Sequence, residues 1–114
     1  MDAAMDIYER TKSFPADEKY SLVDQVRRSS RSVAANIAEA WRKRRYEAAF
    51  KSKLNDAESE ACETQTGIEL ALRCGYFEEA VADRLDGKYE DLMAKLVVMI
   101  RDSSKWTIRG PKDA

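Results

Sequence analysis

The chain contains no histidine. That absence removes imidazole acid/base chemistry, Ser-His and Cys-His nucleophilic pairs, and the Glu-x-x-His di-metal sites of ferritin-like bundles. Glycine and proline are scarce too, with 4 Gly and 2 Pro among 114 residues. So few turn-formers exclude a fold of many short strands and favour a few long helices. The 2 cysteines, Cys62 and Cys74, stand twelve residues apart in one expected helix. A rise of about 1.5 Å per residue puts them roughly 18 Å apart, beyond disulfide reach, so they read as free thiols of a reducing compartment. Cys62 is flanked by Glu60 and Glu63, which disfavour a thiolate, and neither cysteine has a recognisable base partner, so no catalytic thiol is expected. No apolar run approaches the roughly 20 residues of a membrane span, and Met1 to Asp6 lack the basic and apolar regions of a signal peptide. The expectation is a cytoplasmic protein that is not an enzyme and holds no cofactor or metal.

What is present is charge and helical periodicity. Charged residues make up 36% of the chain and hydrophobic ones 44%, with a net charge of −1 that is unevenly spread. Residues 1–45 carry 10 basic and 7 acidic side chains, whereas residues 46–114 carry 10 basic and 14 acidic ones. The spacing predicts helices over about 1–13, 17–42, 46–75 and 78–105, forming one domain over 1–106 with 107–114 as a flexible tail. Phe14-Pro15 ends the first helix, because a residue before proline is pushed out of the α region, and Gly75 ends the third as its C′ residue. The expected stripes are Met1, Ala4, Met5, Tyr8 and Thr11 in the first helix, and Tyr46, Phe50, Leu54, Ala57, Ala61, Thr64, Ile68, Ala71, Leu72 and Gly75 in the third. The fourth places Val81, Leu85, Tyr89, Leu92, Leu96, Met99 and Ile100 on one side, with Gly87 as a weak point. Short connections between four amphipathic helices make an all-α, antiparallel up-down-up-down four-helix bundle the simplest fold.

The second helix is unusual in having two characters. Val26, Ser30, Val33, Ile37 and Trp41 form its core stripe, while Arg27, Arg31 and Arg42, with Arg28 at the edge, flank the small residues Ala35 and Ala38 on the other side. From Arg27 to Arg45 there are seven basic residues against Glu39 alone. The run Arg42-Lys43-Arg44-Arg45 is bracketed by Trp41 and Tyr46, combining phosphate-seeking charge with rings able to stack on bases. A solvated helix C-terminus, where cations complement the dipole, accounts for the run equally well when it is taken alone. Val97 and Val98 point away from the fourth helix's stripe and read either as a subunit contact, with Ala35 and Ala38, or as scattered surface apolar residues. Asp56, Glu60 and Glu63 line one edge of the third helix and read as a solvated acidic edge, as acceptors for neighbouring arginines or, least, as a cation site. Asn36, on the margin of the core stripe, reads first as a hydrogen bond to a neighbouring helix that fixes its register and second as a ligand contact.

A resemblance joins these pieces. Pro15, Glu18, Tyr20, Leu22, Gln25, Arg27, Arg28, Ser32, Asn36-Ile37-Ala38-Glu39, Phe50, Leu54, Ala57, Glu63 and Gly75-Tyr76 together resemble the four-helix-bundle proteins encoded by intervening sequences in bacterial 23S ribosomal RNA genes. Those proteins are similar in turn to the accessory variability determinant of diversity-generating retroelements. The resemblance implies an antiparallel bundle assembling into a ring, a pentamer among relatives, and for the retroelement proteins a basic surface that meets nucleic acid beside a reverse transcriptase. It carries over directly to Arg27 and Arg28; Arg42 to Arg45 rest on charge alone. The chain departs from the pattern at Ala40, where a glycine is expected after Asn-Ile-Ala-Glu, and at Glu60, where a serine is expected. The leading expectation is a homo-oligomeric bundle binding RNA or DNA backbone through Arg27, Arg28, Arg31, Arg42, Lys43, Arg44 and Arg45. The runner-up is a protein-interaction scaffold whose arginines serve subunit or partner contacts.

Overall fold

The third helix is the longest and packs against both of its neighbours in sequence, so the rest of the chain is arranged along it. The computed structural model describes residues 1–107, the side chains of Lys19 and Tyr20 excepted, and their regular structure is all helical. In chain order these are α1 (Asp2–Thr11), a 3₁₀ turn (Ala16–Glu18), a π turn (Lys19–Val23), α2 (Asp24–Arg42), α3 (Glu47–Arg73), α4 (Glu79–Arg101) and the short α5 (Ser103–Trp106). They form an antiparallel up-down-up-down four-helix bundle, 56 × 23 × 18 Å in extent. The expected tail falls outside the described residues except for Thr107, whose hydroxyl donates to the Ser103 carbonyl at 2.8 Å. Among the described residues no helix is long and apolar enough to cross a membrane.

Two apolar clusters stack along the bundle. The upper one gathers Ile7, Leu22, Val26, Val33, Ile68, Leu85 and Tyr89, and the lower one Ala40, Phe50, Leu54, Ala57 and Leu96. Burying each large side chain contributes roughly 1.5–3 kcal/mol, which offsets the ordering of the long helices. The α3 stripe is largely as expected, with Phe50, Leu54, Ala57, Ala61, Thr64, Ile68 and Ala71 all buried, but Tyr46 is exposed and Gly67 joins the buried set. Gly67 explains how α2 comes so close: a Cβ placed there would overlap the Val26 side chain. Just beyond it, the buried hydroxyls of Ser29 and Thr64 are hydrogen-bonded at 2.8 Å, tying α2 to α3 in register. The register device expected of Asn36 is therefore supplied by Ser29; Asn36 instead donates to Ser32 Oγ within α2 at 3.2 Å.

Helix ends account for further differences from the expected boundaries. Gly75 has φ +78°, and the bonds Tyr76 N–H to Ala71 O (2.8 Å) and Gly75 N–H to Leu72 O (3.0 Å) complete a Schellman motif, as its position predicted. The expected start of the second helix at 17 resolves into the 3₁₀ and π turns; the wide π turn lets the consecutive residues Leu22 and Val23 both face inward. α4 runs unbroken through Gly87 and ends at Asp102, after which α5 turns its Ser103 hydroxyl onto Glu47 at 3.0 Å. In α1 the buried residues are Ile7 and Thr11, while Met1 and Met5 are 88% and 57% exposed, so the helix is rotated from its expected stripe. Polar contacts set that rotation: Asp6 bonds Arg84 (2.9 Å) and Lys88 (2.8 Å) on α4, and Arg27 Nε on α2 donates to Thr11 Oγ1 at 2.8 Å.

Candidate nucleic-acid interface

The turn between α2 and α3 closes without glycine. Lys43 caps α2, its N–H shared between the Glu39 and Ala40 carbonyls at 3.1 and 3.0 Å, and Tyr46 N–H then bonds the Lys43 carbonyl at 2.9 Å. Tyr46 is extended at φ −118°, ψ 103° and caps α3, accepting Phe50 N–H at 2.9 Å. No left-handed residue is needed, so Ala40 in place of the expected glycine leaves the turn intact; Ala40 is fully buried in the lower cluster. The same geometry projects four consecutive cations from one end of the bundle. Arg42, Lys43 and Arg45 are exposed and make no ion pair among the described residues. Concentrated at a helix C-terminus they complement its dipole, yet that interaction leaves their outward hydrogen-bond donors open.

Arg44 is held differently. Its Nε donates to the Trp41 carbonyl at 3.0 Å and its guanidinium carbon lies 3.6 Å over the Trp41 ring. Trp41, expected in the core stripe, is instead 44% exposed, and Trp106 of α5 stands beside it with ring centroids 6.1 Å apart. The core at this level is filled by Ala40, Phe50, Leu54 and Leu96, which leaves the indole at the rim. Trp106 is a member of this cluster that the sequence did not reveal, because nothing local to α5 indicates that it returns to the end of α2. Tyr46, also expected inside, is 65% exposed.

Further up α2 the basic residues are put to several uses. Arg27 is half-buried between α1 and α2: besides Thr11 it donates to the Tyr8 carbonyl at 3.3 Å and stands 4.5 Å over the Tyr8 ring. It fastens α1, which sets it apart from the exposed cations. Arg28 pairs with Asp24 at 2.9 Å along the helix. Arg31 is exposed on the outward face with Ala35 and Ala38, in line with Arg42. Glu39, the one acid of this stretch, pairs with Lys53 of α3 at 2.9 Å; that hydrogen bond and the Lys53 charge hold its carboxyl below the usual range, with Lys43 and Arg42 adding to the effect.

The remaining expected residues lie elsewhere. Glu60 and Glu63 share a polar cleft with Gln25, Arg28, Ser29 and Ser32 of α2; burial, followed by the Glu63 charge, pushes the Glu60 carboxyl up, while Arg28 draws it back. No group of acids or thiols among the described residues is arranged to hold a metal ion. Cys62 and Cys74 are exposed free thiols. Val97 and Val98 are 51% and 42% exposed on α4, where Val98, Met99, Ala94, Lys95 and Trp106 line an apolar depression of about 420 Å³.

Comparison with known proteins agrees with this architecture. The model of the family described as 23S rRNA-intervening sequence protein matches residues 1–98. Among solved structures, the chain is similar to a protein with unknown function from the S23 ribosomal protein family of Bacteroides thetaiotaomicron VPI-5482, with a TM-score of 0.80 and 29% identity over 87% of this chain and 92% of that one. No curated protein matches the chain.

Proposed function

Because the chain belongs to the family of 23S rRNA-intervening sequence proteins, we propose that it is a non-enzymatic, homo-oligomeric helical bundle that binds the phosphate backbone of RNA or DNA. The observation that carries the reading is the α2–α3 turn, where Arg42, Lys43 and Arg45 extend unpaired among the described residues and Arg31 continues their line up α2. These cations would neutralise phosphates and release the counterions condensed on the nucleic acid, so affinity falls as salt rises, with no base sequence read. Arg27 is left out of this surface because α1 occupies it, and Arg28 contributes at the edge, half-committed to Asp24.

The test is fluorescence anisotropy of a labelled structured RNA at several salt concentrations, with the wild type and an Arg42→Glu/Lys43→Glu/Arg45→Glu variant. Binding is expected to show a log–log salt slope of about −0.9 per neutralised phosphate on duplex regions, and to be abolished by the charge reversal. Absence of binding near physiological salt, or an unaffected variant, defeats the proposal. A scaffold role is the second reading, favoured by the exposed Val97 and Val98 and by Arg31 standing among Ala35 and Ala38. An Arg31→Glu variant separates the two: dissociation on a sizing column supports the subunit contact, and an intact oligomer with weakened RNA binding supports the backbone site.

A further inference from the structure

Phosphate neutralisation leaves the rings at the basic turn without a role. Both tryptophans of the chain, Trp41 and Trp106, meet there, and Tyr46 completes the turn with most of its surface in water. Aromatic side chains are usually drawn into cores, and the lower cluster lies directly beside these three, so their collective exposure is unusual. Arg44 is already fixed by its bond to the Trp41 carbonyl and its seat over the indole, and ordering this pair therefore adds little to the free-energy cost of binding. Tyr46 has no stacking or cation partner among the described residues. Its backbone is held by the bonds to Lys43 and Phe50, so the ring projects from a rigid base between Arg45 and the start of α3.

We propose that this turn is a stacking site for unpaired nucleotides, and that the protein takes single-stranded RNA or DNA in preference to duplex. The proposal rests on the phosphate-binding reading and specifies its ligand. Tyr46 offers a π face to one base, and the Trp41–Arg44 pair offers a cation-backed face to a neighbour. Arg42, Lys43 and Arg45 neutralise the phosphates between them. In a duplex the bases are already stacked on one another and present only their edges, so rings on a convex turn gain nothing and charge alone acts. On an unpaired strand each base that stacks on an aromatic side chain tightens binding by about tenfold, whatever the base.

The experiment compares labelled oligo(U), labelled oligo(dT) and a blunt DNA duplex of equal length by anisotropy at one low salt concentration. It uses the wild type, Tyr46→Ala and Arg42→Glu/Lys43→Glu, each first checked for native helicity. The tighter of the two strands is expected to bind at least tenfold better than the duplex. Tyr46→Ala should lose about tenfold on strands and nothing on duplex, and strands should quench the intrinsic emission of Trp41 and Trp106 where duplex does not. Duplex binding as tight as the tighter strand, or an unaltered strand affinity in Tyr46→Ala, overturns the stacking site while leaving the phosphate reading standing. If the wild type binds none of the three, the phosphate reading itself fails and takes the stacking site with it.

Discussion

Two arginines show how little a residue's identity says about its use. Arg27 and Arg44 both sit over an aromatic ring and both donate to a backbone carbonyl, but Arg27 joins two helices whereas Arg44 braces an exposed turn. Truncating Arg27 would unfasten α1, so a loss of RNA binding in that variant would say nothing about phosphate contacts. Glycines divide in the same way. Gly67 lies where any Cβ would overlap Val26, whereas a Cβ at Gly87 meets nothing within 4 Å. Gly67→Ala is therefore expected to destabilise by about 1–3 kcal/mol through overpacking. Gly87→Ala should stabilise by about 1 kcal/mol through restricted unfolded-state freedom and better helix propensity. Urea denaturation of the two variants beside the wild type checks both signs. The buried Tyr89 hydroxyl, without a hydrogen-bond partner among the described residues and pushed up to about 12 chiefly by burial, stays protonated at any physiological pH.

Of the four bundle helices, α1 is the least committed. Its apolar anchor is mainly Ile7 and Ala3, and the rest of its hold is polar: Arg27 on one side, Arg84 and Lys88 on the other. Burial pushes the Asp6 carboxyl up, but hydrogen bonds and charge from Lys88 and Arg84 outweigh it and hold the group below its ordinary 3.8. A carboxyl depressed in the folded state stabilises fully above its unfolded value and loses that contribution as pH falls through the folded one. Acid should thus release α1 from α4 only below about pH 3.8, with the rest of the bundle following later. At neutral pH, Asp6→Asn is expected to weaken this latch by about 1 kcal/mol, a partly exposed pair being worth no more. Amide hydrogen exchange resolved by helix provides the check: protection should fall in α1 and persist in α3, and equal loss throughout would refute a separate latch.

At the level of the whole molecule, a second patch of apolar side chains, apart from the rings of the basic turn, is left in water on α4 after the bundle has closed. Val97 and Val98 remain exposed there, next to the depression lined by Met99 and Lys95. Under the proposed homo-oligomeric assembly this is the surface that a second copy covers. Val97→Asp/Val98→Asp should then leave the helical circular dichroism unchanged, since neither residue is in the core. The same variant should shift light-scattering mass toward the 13.0 kDa protomer. An unchanged mass would remove these valines from the subunit contact.

How far the sequence reached depended on how local each cause is. Period-3.6 patterning, the Phe14-Pro15 break and the Gly75 cap act within a turn or two of the chain, and they sufficed for an all-α bundle of four long helices. The absence of histidine likewise excluded its chemistry before any fold was known. The outward character of Arg42, Lys43 and Arg45 was legible because four adjacent cations cannot all be buried beside one another. Rotation of α1, exposure of Trp41 and Tyr46, the partnership of Arg27 with Tyr8 and Thr11, and the meeting of Trp41 with Trp106 were decided only in three dimensions. Each depends on which distant side chain fills the space first: Ala40, Phe50 and Leu96 fill the lower core and leave no room for an indole, and Asp6 finds its cations on α4, across the bundle. The chain's own periodicity sets which helices form, and packing between helices sets which of their residues remain free to meet a ligand.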